Sequence, residues 1–157
     1  LRSLVGSEMC IRDSSWTDFV GDEYKAFSGT AVYTTTINKV PVADVIKLNL
    51  GTVAENASVY LNGEYIGTVI DSPYQLYIPA EKFKGQDELV VRVANSMANR
   101  IAYMDKKGVD WKIFYNVNMS ARKKENVKNG IFDASDWEPK SSGLLGPVTL
   151  TPAMVKQ

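Results

Sequence analysis

The stretch ASVYLNGEYIGTVI, residues 57–70, carries the clearest fold signal in this sequence. Two apolar runs flank the pair Asn62-Gly63. These two residues accept the positive φ angles that a two-residue type I′ turn requires. The stretch therefore predicts a β-hairpin with one strand on each side of the turn.

Further short strands are predicted on both sides of this hairpin, because apolar residues alternate with polar ones and β-branched residues are frequent. The strand segments are GTAVYTTTI (29–37), VIKLNLGTV (45–53), YQLYIP (74–79), ELVVRVAN (88–95) and LLGPVTLTP (144–152). Between two of them, AEKFKGQD (80–87) is long enough for one helical turn closed by Gly85. Many short strands without a long amphipathic helix predict an all-β antiparallel sandwich rather than a parallel α/β sheet.

Residues 96–143 do not follow this pattern and are predicted to form one long irregular excursion between two strands. The segment contains two of the three tryptophans and a turn signal at Asn129-Gly130. Connections of this length are uncommon, and they tend to carry a function or to build an interface. The excursion is therefore the first place to look for a site.

The composition excludes several classes of function. Basic and acidic residues balance at 18 each and are interspersed, so neither a nucleic-acid partner nor a membrane surface is expected. The sequence has no histidine, which excludes catalytic triads and most zinc sites. Carboxylates, hydroxyls, amides and aromatic rings remain as the groups available for chemistry or binding.

The first residues are predicted to be foreign to the fold. The stretch from Leu4 to Asp13 can be reverse-translated into the transposase adapter used for short-read sequencing libraries, and it shows neither strand alternation nor a helix cap. We interpret residues 1–14, which include the only cysteine, Cys10, as a translated scar. The natural chain is then expected to extend further upstream, and a single domain is predicted over residues 15–157.

Several stretches in sequence order resemble the C-terminal β-sandwich of bacterial glycoside hydrolases, especially the α-L-rhamnosidases of family 106 and related family 2-like enzymes. The resembling pieces are SWTDF, FSGTAVYTTTI, LNLGTV, ASVYLNGEYIGTV, SPYQLYIP, ELVVRVANSMANRIAYMD, NMSARKKENVKNGIFDASDWEP and SGLLGPVTL. The resemblance implies a galactose-binding-like jelly roll with a further strand before Ser15. It also implies a secreted or periplasmic bacterial protein whose catalytic carboxylates belong to an upstream barrel, so the chain by itself is expected not to be an enzyme.

The resemblance also implies a carbohydrate ligand, which needs an aromatic face beside groups that bind hydroxyls. The candidate binding residues are Asn95, Asn99, Arg100, Tyr103, Asp110, Trp111 and Tyr115. The aromatic side chains could equally pack in the core. No cofactor is expected except a structural calcium ion, which such jelly rolls often hold, although no loop is dense enough in Asp and Asn to name ligands.

Two functions remain open from the sequence. The chain could be a carbohydrate-binding module for a plant-type polysaccharide or oligosaccharide. Alternatively, it could be a structural domain that packs on the upstream catalytic domain, since Trp111, Phe114, Met119 and Trp137 lie close together in the chain. A fold alone does not decide between these functions.

Overall fold

The hairpin predicted around Asn62-Gly63 is present. Strands β4 (Asn56–Leu61) and β5 (Glu64–Val69) pair antiparallel on either side of this turn. The φ angles of the two turn residues are 52° and 80°, both in the left-handed region that a type I′ turn uses. This prediction is confirmed.

The computed structural model describes residues 14–113 and 123–153, which divide into two compact units. Of these residues, unit 1 contains 14–15, 30–95 and 142–153. Unit 2 contains 16–29, 96–113 and 123–141. Apart from Ser14, the predicted tail of residues 1–14 lies outside the described residues. Both the tail and the single domain over residues 15–157 stay predictions.

Unit 1 contains two main antiparallel sheets. The first has the spatial order β1 (Thr30–Ile37), β7 (Asp87–Ala94), β4 and β5. The second has the order β11 (Thr149–Ala153), β2 (Val45–Asn49) and β6 (Gln75–Pro79). Strands β3 (Thr52–Ala54) and β10 (Gly143–Gly146) form a smaller antiparallel pair.

Each main sheet buries one face, as the alternating sequence predicts. In β7, Leu89, Val91 and Val93 are buried while the residues between them are more exposed. In β2, Ile46 and Leu48 are buried in the same way. Burying an aliphatic side chain of this size contributes roughly 1.5–3 kcal/mol, so these faces are the main source of stability in unit 1. The antiparallel pairing and the buried faces confirm the predicted all-β sandwich.

The segment VIKLNLGTV departs from the prediction because it is two strands and not one. Strand β2 ends at Asn49 and β3 begins at Thr52. Between them Gly51 has a φ of 68°, and its backbone N–H donates to the Asn49 side chain at 3.0 Å. A left-handed residue interrupts the strand conformation, so the pattern of apolar residues continues through a bend of the chain.

The helical turn predicted between β6 and β7 is present as a 3-10 helix, Ala80–Lys82. Gly85 follows it with a φ of 98°. The carboxylate of Asp87 then accepts hydrogen bonds from the backbone N–H groups of Lys84 (2.8 Å) and Gly85 (3.0 Å). Asp87 is 1% exposed, so this turn is held by a buried carboxylate.

Unit 2 is built mostly from short elements. Its described residues form the helices α1 (Asp22–Lys25) and α2 (Ala98–Lys106) and the strand pair β8 (Val127–Lys128) with β9 (Ile131–Phe132). They also form 3-10 helices at Trp16–Asp18 and Lys124–Asn126. The turn between β8 and β9 is the predicted Asn129-Gly130 pair, with φ angles of 52° and 78°. Helix α2 has no counterpart among the elements predicted from the sequence.

Helix α2 is followed by Gly108, which has a φ of 67°. The N–H of Val109 donates to the carbonyl of Met104 at 2.9 Å, and the N–H of Gly108 donates to that of Asp105 at 3.1 Å. This pair of bonds is the Schellman motif, in which a left-handed glycine allows the last carbonyls of a helix to be satisfied. The described chain around α2 is therefore a defined element within the predicted excursion.

Candidate functional site

Unit 2 contains an open cleft of about 480 Å³, which we name the Tyr103 cleft. Helix α2, the neighbourhood of α1 and the segment after β9 all contribute to its lining. The lining includes Asp22, Asn99, Tyr103, Lys107, Asp136 and Trp137. Two aromatic side chains thus share one cleft with carboxylates, an ammonium group and an amide.

Asn99 lies at the edge of this cleft and is 7% exposed. Its side-chain Nδ2 donates to the carbonyl of Lys140 at 2.8 Å, and its Oδ1 accepts from the backbone N–H of Lys140 at the same distance. Both ends of the amide are therefore engaged by one backbone residue. Asn99 therefore holds the backbone at Lys140 in place beside the cleft. The sequence around Asn99 does not indicate this role.

Tyr103 is half-buried, and two cations lie near its ring. The guanidinium carbon of Arg100 is 5.9 Å from the ring centroid, and Nζ of Lys107 is 5.5 Å from it. Cations at this distance are attracted to the face of an aromatic ring. The two predicted residues Arg100 and Tyr103 are therefore brought together by the spacing of three positions along α2.

Lys107 also forms an ion pair with Asp22, with Nζ 3.1 Å from Oδ2. The hydrogen bond from Lys107 and its positive charge lower the pKa of Asp22, and the same contact with Asp22 raises the pKa of Lys107. Both groups therefore remain charged at neutral pH. Because both are exposed, the pair contributes little to stability, and its consequence is the charge pattern of the cleft.

A second ion-pair network brings Asp136 into the lining. Nζ of Lys128 lies 3.0 Å from Oδ2 of Asp136 and 3.3 Å from Oδ1 of Asp133. The hydrogen bond with Asp136, followed by that with Asp133, outweighs desolvation and raises the pKa of Lys128. The pKa of Asp133 is lowered, chiefly by the hydrogen bond from the hydroxyl of Ser135. The network fixes the segment that follows β9.

The two tryptophans of unit 2 are held by hydrogen bonds from their indole nitrogens. Nε1 of Trp137 donates to Oδ1 of Asn126 at 2.8 Å, and its ring packs edge-on against Phe132 at a centroid distance of 5.8 Å. Nε1 of Trp111 donates to Asp105 at 2.7 Å. Both rings pack against the small buried cluster of Phe132 and Ala134. Trp137 in addition lines the cleft, whereas Trp111 is not among its lining residues.

Of the predicted binding residues that the structure describes, Arg100, Asp110 and Asn95 do not line the cleft either. Asp110 is exposed and lies outside the lining. Asn95 belongs to unit 1, where its Nδ2 donates to Oγ of Ser142 at 3.2 Å. Tyr115, together with Phe114 and Met119, lies outside the described residues. Whether any of the predicted residues binds a sugar stays a prediction.

Sequence reasoning left Asp22, Lys107 and Trp137 out of the predicted site. Asp22 and Lys107 are far apart in the sequence, so no local pattern connects them. Trp137 lies between two acidic residues in SDWEP. An aromatic ring next to carboxylates was the sequence feature that could have indicated a binding residue here. The ring of Trp137 also packs edge-on against Phe132.

The sequence left a structural calcium ion open. In residues 14–113 and 123–153, no three Asp, Glu, His or Cys side chains are grouped closely enough to hold a metal ion. Over the same residues, no helix has the length and apolar character needed to cross a membrane.

Comparison with known proteins identifies the relatives of the chain. No protein-family model matches the sequence. The chain is 32% identical to a protein of Formosa agariphila provisionally named beta-glucuronidase, over 87% of this chain and 13% of that protein. The structure resembles a rhamnosidase from Novosphingobium sp. PP1Y with a TM-score of 0.69 and 28% identity, over 87% of this chain and 12% of that one. The relatives of this chain are glycoside hydrolases.

The chain spans about one eighth of the length of these two relatives. A beta-glucuronidase of Ruminococcus gnavus gives a weaker match, with a TM-score of 0.44 and 24% identity over 52% of this chain and 15% of that one, and supports no inference. The resemblance stated from the sequence is thus confirmed for glycoside hydrolases in general. The domain type and the adapter origin of the first residues stay predictions.

Proposed function

We propose that this chain is a non-catalytic ancillary domain of a polysaccharide-degrading glycoside hydrolase and that it binds a saccharide through the Tyr103 cleft. The observation that carries the proposal is the pairing of Tyr103 and Trp137 with charged groups in one open cleft. An aromatic ring can pack against the C–H face of a pyranose, and the carboxylates and ammonium groups can bond its hydroxyls. The similarity to glycoside hydrolases over a small part of their length supports an ancillary role.

The state of the carboxylates supports a non-catalytic role. Glycoside hydrolysis uses two carboxyl groups, one of which is kept protonated by a raised pKa. Among the described residues, the pKa values of Asp22, Asp87 and Asp133 are lowered, which is opposite to the shift that a catalytic acid needs. Because a polysaccharide substrate lies outside the cell, we also propose a secreted or periplasmic location.

The proposal can be tested by recording backbone and indole N–H spectra of the 157-residue chain while rhamnose, galactose or galacturonic acid is added to millimolar concentration. We expect shifts at the amide of Tyr103 and the indole of Trp137. Replacement Tyr103→Ala should weaken binding about tenfold, and Tyr103→Phe should preserve it, because the ring and not its hydroxyl carries the contact. Tyr77→Ala, an exposed tyrosine of unit 1, is the matched control and should bind as the parent chain does.

Unchanged cleft signals with all three sugars and with their oligomers would contradict sugar binding. Equal affinity of the Tyr103→Ala chain would contradict the cleft as the site. A spectrum of dispersed peaks in each variant ensures that the comparison concerns folded protein.

A second candidate function is a domain that packs on the catalytic part of its parent enzyme. Phe19 and Tyr24 are exposed aromatic residues in contact with each other, at a centroid distance of 5.5 Å, and the adjacent Val20 is almost fully exposed. Exposed apolar groups of this kind favour an interface with another protein surface. Replacing Phe19 and Val20 by serine in the parent enzyme should loosen the domain association without changing sugar binding by this chain.

A further inference from the structure

A second surface with sugar-binding chemistry lies on unit 1, on the outward side of the first sheet. We name it the Tyr60 face and define it by six residues of β4, β5 and β7, namely Ser58, Tyr60, Tyr65, Thr68, Val90 and Arg92. The register places Tyr60 between Tyr65 and Val90, and it places Ser58 between Thr68 and Arg92. Two neighbouring rows of side chains, one with aromatic rings and one with hydroxyls and a cation, therefore cross three strands.

The side chains of this face hold one another in place. The hydroxyl of Thr68 is hydrogen-bonded with Ser58 Oγ at 2.7 Å and with the hydroxyl of Tyr65 at 2.8 Å. The rings of Tyr60 and Tyr65 contact each other at a centroid distance of 5.5 Å. Side chains that are already ordered lose less conformational entropy when a ligand binds, so this arrangement is prepared for recognition.

Arg92 gives the face a positive charge, and no carboxylate of the described residues forms an ion pair with it. Its guanidinium carbon lies 4.8 Å from the centroid of the Tyr60 ring. The residues paired with it on the adjacent strands are Val32 and Ser58, neither of which is acidic. The ion pairs found among the described residues do not include Arg92.

The nearest acidic residue along the outward side of the same strand is Glu88. It is four positions away, which corresponds to about 13 Å along a strand. At that distance, and exposed to solvent, the two charges interact weakly at physiological ionic strength. The five N–H donors of Arg92 are therefore not directed to a carboxylate of the described chain, and a guanidinium is suited to bind a carboxylate through two parallel hydrogen bonds.

We propose that the Tyr60 face binds an acidic saccharide, with its carboxylate on Arg92 and the C–H side of a ring on Tyr65. Tyr65 is 55% exposed, so its ring is accessible to a ligand. Its strand β5 and the strand of Arg92, β7, are separated by β4, which places their backbones about 10 Å apart. A face that extends over three strands matches several linked sugar rings better than one, so the ligand class is an oligosaccharide that carries uronate groups.

The test uses a galacturonic acid tetramer and its methyl ester, which differ in charge and not in length. With the acidic tetramer, we expect amide shifts at Ser58, Tyr60, Thr68 and Arg92 of the complete chain. The ester should bind about tenfold more weakly, and binding of the acid should weaken as salt is added.

Two variants test the roles of the named side chains. Arg92→Lys keeps the positive charge but removes the guanidinium that can form two parallel hydrogen bonds with a carboxylate. It should therefore weaken binding of the acidic tetramer about tenfold. Tyr65→Ala removes the accessible ring and should weaken binding of acid and ester alike. Tyr77→Ala, an exposed tyrosine on β6 in the second sheet, should leave the affinity unchanged.

The proposal would be overturned if acid and ester bound with equal affinity, or if the Arg92→Lys chain bound the acid as tightly as the parent chain. It would also be overturned if the amide signals of the Tyr60 face did not shift. Shifts confined to the Tyr103 cleft would refute the second site and support the proposed function. Shifts confined to the Tyr60 face would support the second site, while the cleft is judged by its own titrations with rhamnose, galactose and galacturonic acid. The two proposals therefore fail separately.

Discussion

Nδ2 of Asn62 lies 2.7 Å from Oδ1 of Asp87, which joins the turn of the β4–β5 hairpin to the first residue of β7. The backbone of Asn62 continues the junction, because its N–H donates to the carbonyl of Glu88 at 2.8 Å. The Asn62 Oδ1 in turn accepts from the N–H of Glu88 at 2.9 Å. One turn residue thus fixes both the hairpin and the start of the central strand beside it.

We expect Asp87→Ala to lower the free energy of unfolding by about 3 kcal/mol, because three donors lose a buried charged acceptor. Urea unfolding followed by circular dichroism measures this loss. Asp44→Ala, at an exposed aspartate, is the control and should change stability by less than about 0.5 kcal/mol. Equal stability of the two variants would show that Asp87 does not hold the turn.

Stability should also fall in acid because of the same residue. Burial by itself would raise the pKa of Asp87, but the hydrogen bonds from Asn62, Lys84 and Gly85 outweigh this effect and lower it. The folded pKa is therefore below the unfolded value of about 3.9, and the ionised form stabilises the fold above that value. Unfolding free energies measured from pH 6 to pH 2 should decline below about pH 4. The decline should be smaller in Asp87→Asn; an identical decline would exclude Asp87 as a source.

Gly51 should tolerate no side chain, in contrast to another left-handed glycine. A Cβ at Gly51 would lie 2.3 Å from the carbonyl carbon of Gly146, whereas a Cβ at Gly63 would meet no atom within 4 Å. Gly63→Ala should therefore cost only the conformational strain of about 1–2 kcal/mol. Gly51→Ala adds a backbone overlap worth about 1–3 kcal/mol more. Thermal unfolding of both variants measures this difference in stability. Equal melting temperatures would contradict the close approach of the Gly51 and Gly146 backbones.

Asp105 should be as important in unit 2 as Asp87 is in unit 1. Its side chain is 1% exposed. It accepts hydrogen bonds from Nε1 of Trp111 at 2.7 Å and from the N–H of Ala134 at 2.8 Å, and it pairs with Lys112. Asp105→Ala should destabilise unit 2 by about 3 kcal/mol, since it leaves these donors without their acceptor. Hydrogen exchange at Ala134 should accelerate, while that of Val91 in unit 1 should not. A variant with unchanged exchange at Ala134 would contradict this role.

The sandwich strands could be predicted because their information is local. Asn62-Gly63 specifies its own turn, and the alternation of Leu89, Val91 and Val93 specifies a buried face without reference to any other strand. Gly51 shows the limit of this logic. Gly51 has a left-handed conformation and lies close to the backbone of Gly146, and the residues next to Gly51 in the sequence do not indicate this contact.

Unit 2 could be predicted much less well, because its order comes from distant pairs. Helix α2 has no side-chain cap at its start, and Ile101 and Ala102 are partly buried against the cluster of Phe132 and Ala134. Asn99 looks like a typical hydroxyl-binding amide in the sequence, yet its partner Lys140 is 41 positions away. A pattern within one segment cannot reveal such partners, so the residues of the Tyr103 cleft were found only in part.

The hydrogen bond between Asn95 and Ser142 has a consequence for how the sequence can vary. Chain 96–141 leaves unit 1 after Asn95 and returns at Ser142, and these two side chains are 3.2 Å apart. Since the ends of this segment are already held together, doubling its length costs only about 0.6 kcal/mol of closure entropy. Insertions at the exposed turns of 96–141 should therefore add little closure entropy to the cost of folding unit 1.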